Sequence, residues 1–402
     1  MDSDCEMGMS GARPMRILFV WPVCRFSVWD VARGYRSALT RLVGDTNISD
    51  YFLDKHFAYH QKAIPEDAQN EIVLSKMASE NILNEALYMF ADIVIVVAGL
   101  NLHPLALWGL RRAGIAACTI LTESPYEDVN QADWASVYPE MVIATTERSS
   151  LKAFPNWHYV PHAFDPAYHQ PAARSPEYAC DVLMVGTGWP ERQRLLEKVD
   201  WAGIDLKLFG IWGGITPSSP LHKFYPGGTL IDNRLITQRY CSAKVCLNIH
   251  RPHATAESLG PRAYELAACG AFQICDRRPE VTEVFGDAVP TVDVSSRDAH
   301  IHLEHHIRWA LEHPDERLMM ALRAKDRVQS HTFDNRARRL LEAVAPAIGS
   351  AVPHPQQSDS IDPVSRMLTV PAEFRKMGTD DGIEEWNLAK MEEVKGGATQ
   401  QA

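Results

Sequence analysis

The apolar positions of this chain come in short runs, separated by stretches whose apolar residues recur at helical spacing. Residues 16–21 (Arg-Ile-Leu-Phe-Val-Trp) read as a buried strand, and 27–43 as the helix that follows it. A weaker strand is predicted over 49–53 and one long helix over 66–90. A strand over 92–97, a helix over 103–113 and strands over 115–121 and 141–144 complete the first half. Such β-α-β alternation predicts a parallel sheet covered by helices on both faces. Binding residues are then expected beyond the carboxyl ends of the strands.

Residues 165–176 contain three prolines and no periodicity, and read as an interdomain linker. A second α/β unit follows, with strands expected at 181–185, 205–209, 244–249, 272–275 and 288–292. Its helices are expected at 190–199, 235–242, 297–312 and 315–330. Residues 350–402 are polar and rich in Gly and Pro. They are expected to form a mostly flexible tail, with a docked short helix over 371–395 as the alternative.

Composition adds limits. A length of 402 residues makes two domains the default expectation. A formal net charge of −11 argues against a general nucleic-acid coat protein, although a local basic groove stays compatible with it. The eight cysteines form no Cys-x-x-Cys pair and sit mostly in apolar runs. Buried reduced thiols are therefore expected, as in a cytoplasmic protein. No apolar run approaches the roughly 20 residues a membrane span needs, and the acidic start Met-Asp-Ser-Asp-Cys-Glu lacks an apolar signal core.

The most specific chemistry lies in 257–276, Glu-Ser-Leu-Gly-Pro-Arg-Ala-Tyr-Glu-Leu-Ala-Ala-Cys-Gly-Ala-Phe-Gln-Ile-Cys-Asp. Pro261 suits the first position of a helix over 262–269, Gly270 suits its end, and 272–275 read as a buried strand. A helix start favours an anion, and Arg262 would add a planar fork for phosphate oxygens. Glu265, one turn in, has only acceptor oxygens and suits paired sugar hydroxyls. Glu257 precedes the turn, within reach of a transferred sugar. Taken alone, two glutamates eight apart also describe an ordinary solvated loop and helix.

The run Arg262-Ala-Tyr-Glu265-Leu-Ala-Ala-Cys-Gly270-Ala resembles the signature of group-1 glycosyltransferases, in the branch of the CgeB-like spore-maturation proteins. Residues 180–192 (with Gly186-Thr187-Gly188), 244–250 and 331–336 resemble further segments of that family, in its order. Looser likeness extends over 92–97, 122–126 and 160–166. The resemblance covers about 15–345 and implies an α/β protein of GT-B architecture. That means two Rossmann-like, doubly wound parallel-sheet domains facing each other across a cleft. The implied parts are a flexible start (1–14), an acceptor domain (15–165), a linker (166–176) and a nucleotide-sugar domain (177–330). A closing helix (331–349) returns to the first domain, and the tail (350–402) follows.

Each further candidate has a plainer alternative. Gly186-Thr187-Gly188 is a phosphate- or sugar-approaching turn, or simply a tight turn. Arg192 is a phosphate contact or an exposed helix residue. Asn248, His250, Arg251 and His253 end a strand on the cleft side, or pack a loop. His250-x-x-His253 has no third ligand nearby in sequence, so no metal is expected there. The cluster of His300, His302, His305 and His306 reads as a solvated helix face. His103, Glu123 and His162 follow first-domain strands, where a base or acceptor-orienting group belongs, or make structural hydrogen bonds. Asp30 and Arg33 are candidates for lining the cleft.

The expected activity is transfer of a sugar from a nucleotide diphosphate sugar, a UDP-sugar by resemblance, to a hydroxyl acceptor. The family pattern implies retention of configuration, although 255–260 carry a single glycine where the family is glycine-rich. Expected donor contacts are Gly186, Thr187, Gly188, Arg192, Asn248, His250, Gly260, Pro261, Arg262 and Glu265. Expected catalytic residues are Glu257, His103 and Glu123. Neither a resident cofactor nor a metal is expected. Two other classes fit the same pattern: an inactive binding or scaffold subunit, and a sugar-nucleotide epimerase. The acceptor stays open between polysaccharide, protein, metabolite and a hydroxymethylated DNA base, as does oligomeric state.

Overall fold

The computed structural model describes residues 14–23, 27–227, 235–349 and 368. The first sheet contains β1 (Ile17–Trp21), β2 (Ile48–Phe52), β3 (Ile93–Val97), β4 (Ala116–Leu121), β5 (Val142–Thr145) and β6 (His158–Tyr159). All pair in parallel, in the order β2-β1-β3-β4-β5-β6. Strands β1, β3 and β4 are buried along their whole length, which explains their unbroken apolar sequences. The second sheet contains β7 (Cys180–Val185), β8 (Leu206–Phe209), β9 (Ala243–Asn248), β10 (Gln273–Asp276) and β11 (Thr291–Val292). It is also parallel, in the order β11-β10-β9-β7-β8. Chain progression reverses direction beside β1 in one sheet and beside β7 in the other. A crevice for a ligand opens at such points.

The predicted helix over 66–90 is not continuous. The chain makes a short turn at Glu66–Ala68, then helices Glu71–Ser79 and Ile82–Tyr88. Asn70 accepts the Ile72 N–H at 2.8 Å and so starts the first of them. Helices Leu53–Ala63, Asp128–Ala135 and Pro279–Phe285 are additional to the expected set. Among the described residues, no helix is long and apolar enough to cross a membrane.

Helix Phe333–Val344 returns to the first domain. Thr332 caps it, and Phe333, Ala337, Leu340 and Val344 form one buried stripe in the core of the first sheet. Arg336 donates to the carbonyls of Pro161 and His162, and Arg41 forks onto Asp334 at 2.6 and 2.9 Å. The ring of Phe333 lies over Gly34, in the middle of helix Ser27–Val43, where a Cβ would overlap it. Alanine at 34 would gain up to about 1 kcal/mol of helix propensity, but overpacking costs about 1–3 kcal/mol. Gly34→Ala is therefore expected to lower the melting temperature. An unchanged melt would show that the closing helix yields freely.

The predicted tail lies outside the described residues except at Leu368. That side chain is buried in the first core, and its carbonyl accepts the Asn101 N–H at 2.7 Å.

Candidate active site

The loop Glu257–Gly260 joins the two domains through its amides. The N–H groups of Glu257 and Ser258 donate to the two oxygens of Glu147, at 3.0 and 3.1 Å. Glu147 stands just past β5, so a first-domain carboxylate grips a second-domain loop. The Leu259 N–H donates to Glu280 Oε2 at 2.5 Å, and the Gly260 N–H to His250 Nε2 at 2.9 Å. Ser258 Oγ accepts the Arg148 N–H and donates to Tyr159, whose hydroxyl donates to Glu280. Four successive backbone donors are thus satisfied by side chains, as their burial requires.

Asp276, at the end of β10, anchors this arrangement. Its Oδ1 accepts the His250 N–H at 2.8 Å and lies 2.6 Å from His250 Nδ1. Its Oδ2 accepts Arg278 Nε at 2.8 Å. Because Nε2 accepts an amide, the network assigns the proton of His250 to Nδ1. Burial lowers the pKa of His250 against the opposing pull of Asp276, in keeping with that neutral form. Burial alone would raise the pKa of Asp276, but His250 and Arg278 hold it well below the usual carboxylate range. Arg278 continues to the carbonyls of Ser258 and Arg251. Both ring nitrogens of His250 are therefore engaged. Its placement is that of a loop-positioning residue rather than a direct donor contact.

The helix predicted over 262–269 spans Pro261–Ala268, with Gly260 as its cap residue. Pro261 has no N–H, Gly260 gives its own to His250, and Ala263 gives its own to the Gly260 carbonyl. The remaining donors for an anion are the Arg262 N–H and the nearby guanidinium groups. Arg262 and Arg192 converge on Gly186. A Cβ at 186 would stand 3.0 Å from Arg262 Nη1 and 3.4 Å from Arg192 Nη1, and the glycine has φ +145°. Arg192 donates to the Thr187 carbonyl at 2.7 Å, and Arg262 to the Tyr240 hydroxyl at 3.3 Å. Neither arginine has an ion-pair partner among the described residues. Burial, together with the charge of Arg262, pushes Arg192 down to about 10. Gly188 packs under the Trp212 ring, which leaves no room for a side chain there.

Glu265 is buried on the same helix, 3.5 Å from the Tyr240 hydroxyl and 3.9 Å from His169 Nε2. It borders an interdomain crevice together with Asp30, Arg33 and Pro261. Through Val31 and Pro261 this crevice adjoins a cavity of about 190 Å³. Glu123, Tyr126, His162, His250 and Arg278 are among the residues that line that cavity. Burial raises the pKa of Glu123 and lowers that of His162 to about 3, and His162 Nδ1 is buried without a hydrogen-bond partner. Arg251 lies over the rings of Tyr126 and Trp189, one from each domain, and so closes the cavity edge.

Three candidates stand elsewhere. His103 is buried at the start of helix Pro104–Ala113, where its Nδ1 accepts the Leu105 N–H, and it does not line the cavity. Asn248 turns into the sheet, toward Gln273 and Cys275. Glu257 pairs with Lys152 at the rim of the domain junction and does not line the cavity either. Sequence reasoning did not single out Glu147, Glu280, Asp276, Arg278 or Tyr240. Each acts through a partner far away in sequence, so no local pattern marks it.

Comparison with known proteins agrees with the two-sheet fold. Residues 167–342 match the family model described as glycosyl transferase-like. The spore protein CgeB of Bacillus subtilis (strain 168) is 23% identical over a match that covers 46% of this chain. The match spans 61% of CgeB, less than two thirds of its length. A glycosyltransferase from Rickettsia africae superposes with a TM-score of 0.57 at 11% identity, covering 84% of this chain and 100% of the other. Anabaena HepE, solved in complex with UDP, superposes with a TM-score of 0.50 at 11% identity, covering 83% and 100%.

Proposed function

From a GT-B chain whose residues 167–342 carry the glycosyltransferase-like pattern, we propose an enzyme that moves a sugar from a nucleotide diphosphate sugar to a hydroxyl group. The observation that carries this reading is the convergence of Arg192 and Arg262 on Gly186, with neither guanidinium in ion-pair contact with a carboxylate among the described residues. Two like charges held together in a partly buried site repel. A diphosphate relieves that repulsion and accepts hydrogen bonds from both forks. In this arrangement Glu265 accepts from the ribose hydroxyls. The transferred sugar points toward the cavity, and the acceptor hydroxyl enters beside Glu123 and His162.

As the bond from the sugar to the diphosphate breaks, negative charge grows on the leaving phosphate. The two guanidinium groups face that oxygen before the reaction begins, which is the arrangement that lowers such barriers. In the retaining course that the Glu257/Glu265 pattern implies, the acceptor oxygen attacks from the face that the phosphate leaves. The acceptor proton departs with the phosphate. UDP is the nucleotide we assign, with HepE as the supporting precedent.

The test is the ligand-induced rise in melting temperature with UDP, GDP, ADP and TDP, each variant compared with its own ligand-free form. UDP is expected to raise the wild-type value, with most of the rise lost in Glu265→Gln and Glu265→Ala. If no nucleotide gives a shift, the donor site is wrong and a scaffold role takes its place. If the shift persists undiminished in both variants, the ribose assignment alone fails.

A further inference from the structure

Beside the acceptor cavity, beyond His250, lies a second recess of about 330 Å³. Helix Pro190–Leu196 and the residues just after it supply Arg192, Arg194 and Lys198. The segment after β11 supplies Arg297 and His300. Four permanently cationic side chains thus face a single carboxylate, Glu191, which is spent on Arg194 at 3.0 Å. Lys198 and Arg297 have no side-chain partner among the described residues. Solvation alone accounts for an exposed lysine or arginine. It does not account for Arg192, whose Nε is buried without a hydrogen-bond partner at the wall shared with the Gly186 turn. In a chain of net charge −11, this concentration of positive charge in a concave site is out of keeping with the whole.

We propose that this recess is a second anion site, distinct from the diphosphate site, which takes the phosphate of a small phosphorylated molecule between Arg192, Lys198 and Arg297. The walls come from three separate segments, 191–198, 249–252 and 294–300, around a half-open hollow rather than a track. That shape suits a compact ligand better than an extended polyanion. The site shares Arg192 with the Gly186 turn and His250 with the acceptor cavity, so its occupant lies next to both substrates.

Titration calorimetry of the full chain at low ionic strength, with inorganic pyrophosphate as probe, tests this directly. Pyrophosphate is expected to bind wild-type protein already saturated with UDP. Its affinity is expected to fall at least tenfold in Lys198→Ala/Arg297→Ala, while UDP affinity stays within twofold. Glucose 6-phosphate, titrated in parallel, is expected to show the same dependence on the two residues; if pyrophosphate alone does, a bare inorganic anion is the occupant and the sugar-phosphate class falls. Three results overturn the site: no binding, equal binding by the double variant, or one-for-one displacement by UDP. Binding of a short DNA oligonucleotide that depends on Lys198 and Arg297 and excludes pyrophosphate would assign the recess to nucleic acid instead. Should UDP itself fail to bind, the donor reading falls. The double variant still decides the recess through pyrophosphate alone.

Discussion

Arg262→Ala is expected to weaken UDP binding by about 10- to 100-fold, the range that follows from losing charged hydrogen bonds of about 1.5–3 kcal/mol. Turnover of a UDP-sugar should fall further, by about 100- to 1000-fold, because the same group faces the charge that develops on the leaving phosphate. The ligand-free protein should respond far less. Arg262 crowds Arg192 at Gly186, and its charge helps to push Arg192 down to about 10. Removing it relieves that repulsion, but burial of Arg262 is outweighed by Tyr240, Glu265 and Asp30, which raise its pKa, and their attraction is given up together with the 3.3 Å bond to Tyr240. The melting temperature without ligand is thus expected to fall only modestly while UDP affinity collapses. Arg262→Lys should recover part of the affinity at most, since an ammonium keeps the charge but loses the fork. Wild-type UDP affinity in Arg262→Ala would remove the diphosphate from this site. A large loss of stability together with affinity would mean that Arg262 holds the fold rather than the ligand.

The parts of the molecule that were legible in the sequence are those set by local burial. Strands β1, β3 and β4 are buried on both faces, so their apolar runs needed no partner to be recognised. The same logic failed over 66–90. The apolar spacing there continues across breaks, and the signals for those breaks are single polar residues such as Asn70, whose capping bond exists only once the helix has formed. The Arg262–Glu265 helix was readable because Gly260, Pro261 and Gly270 mark its ends. Its setting was not. Glu147 reaches the loop from the other domain, and Asp276 acts on it through His250 and Arg278. His103 shows the converse. A histidine just past a strand has the position of an acceptor-side base, but its ring nitrogen caps the helix that begins at the next residue. Strand-end position brings a residue to the correct edge of a sheet. Whether its side chain faces the cleft depends on which backbone donors nearby lack partners.

Asp276→Ala should be among the most destabilising single substitutions in this chain. Arg278 is only 7% exposed, and Asp276 is its one carboxylate partner in the described structure. Removing one member of a buried pair costs about 3–5 kcal/mol, because the other charge stays buried and uncompensated. For a domain of this size, that is on the order of 10 °C in melting temperature. The effect should depend on pH in a defined direction. The folded pKa of Asp276 lies below its unfolded value near 3.9. Its contribution is therefore complete above about pH 4 and fades as pH falls toward the folded value. The lowered pKa of His250 also costs stability as pH falls below the unfolded histidine value of about 6.5, but burial imposes that cost on wild type and variant alike, so it does not narrow the gap between them. The melting-temperature gap between wild type and Asp276→Ala should accordingly be full at pH 7 and narrower at pH 3. Asp276→Leu combined with Arg278→Met removes both charges and should recover much of the lost stability. UDP affinity should not return with it, since the double variant still lacks the carboxylate that orients His250 under the Gly260 amide. A single variant within about 1 kcal/mol of wild type at pH 7 would show that water replaces the carboxylate. In that case the loop owes its position to Glu147 and Glu280 alone.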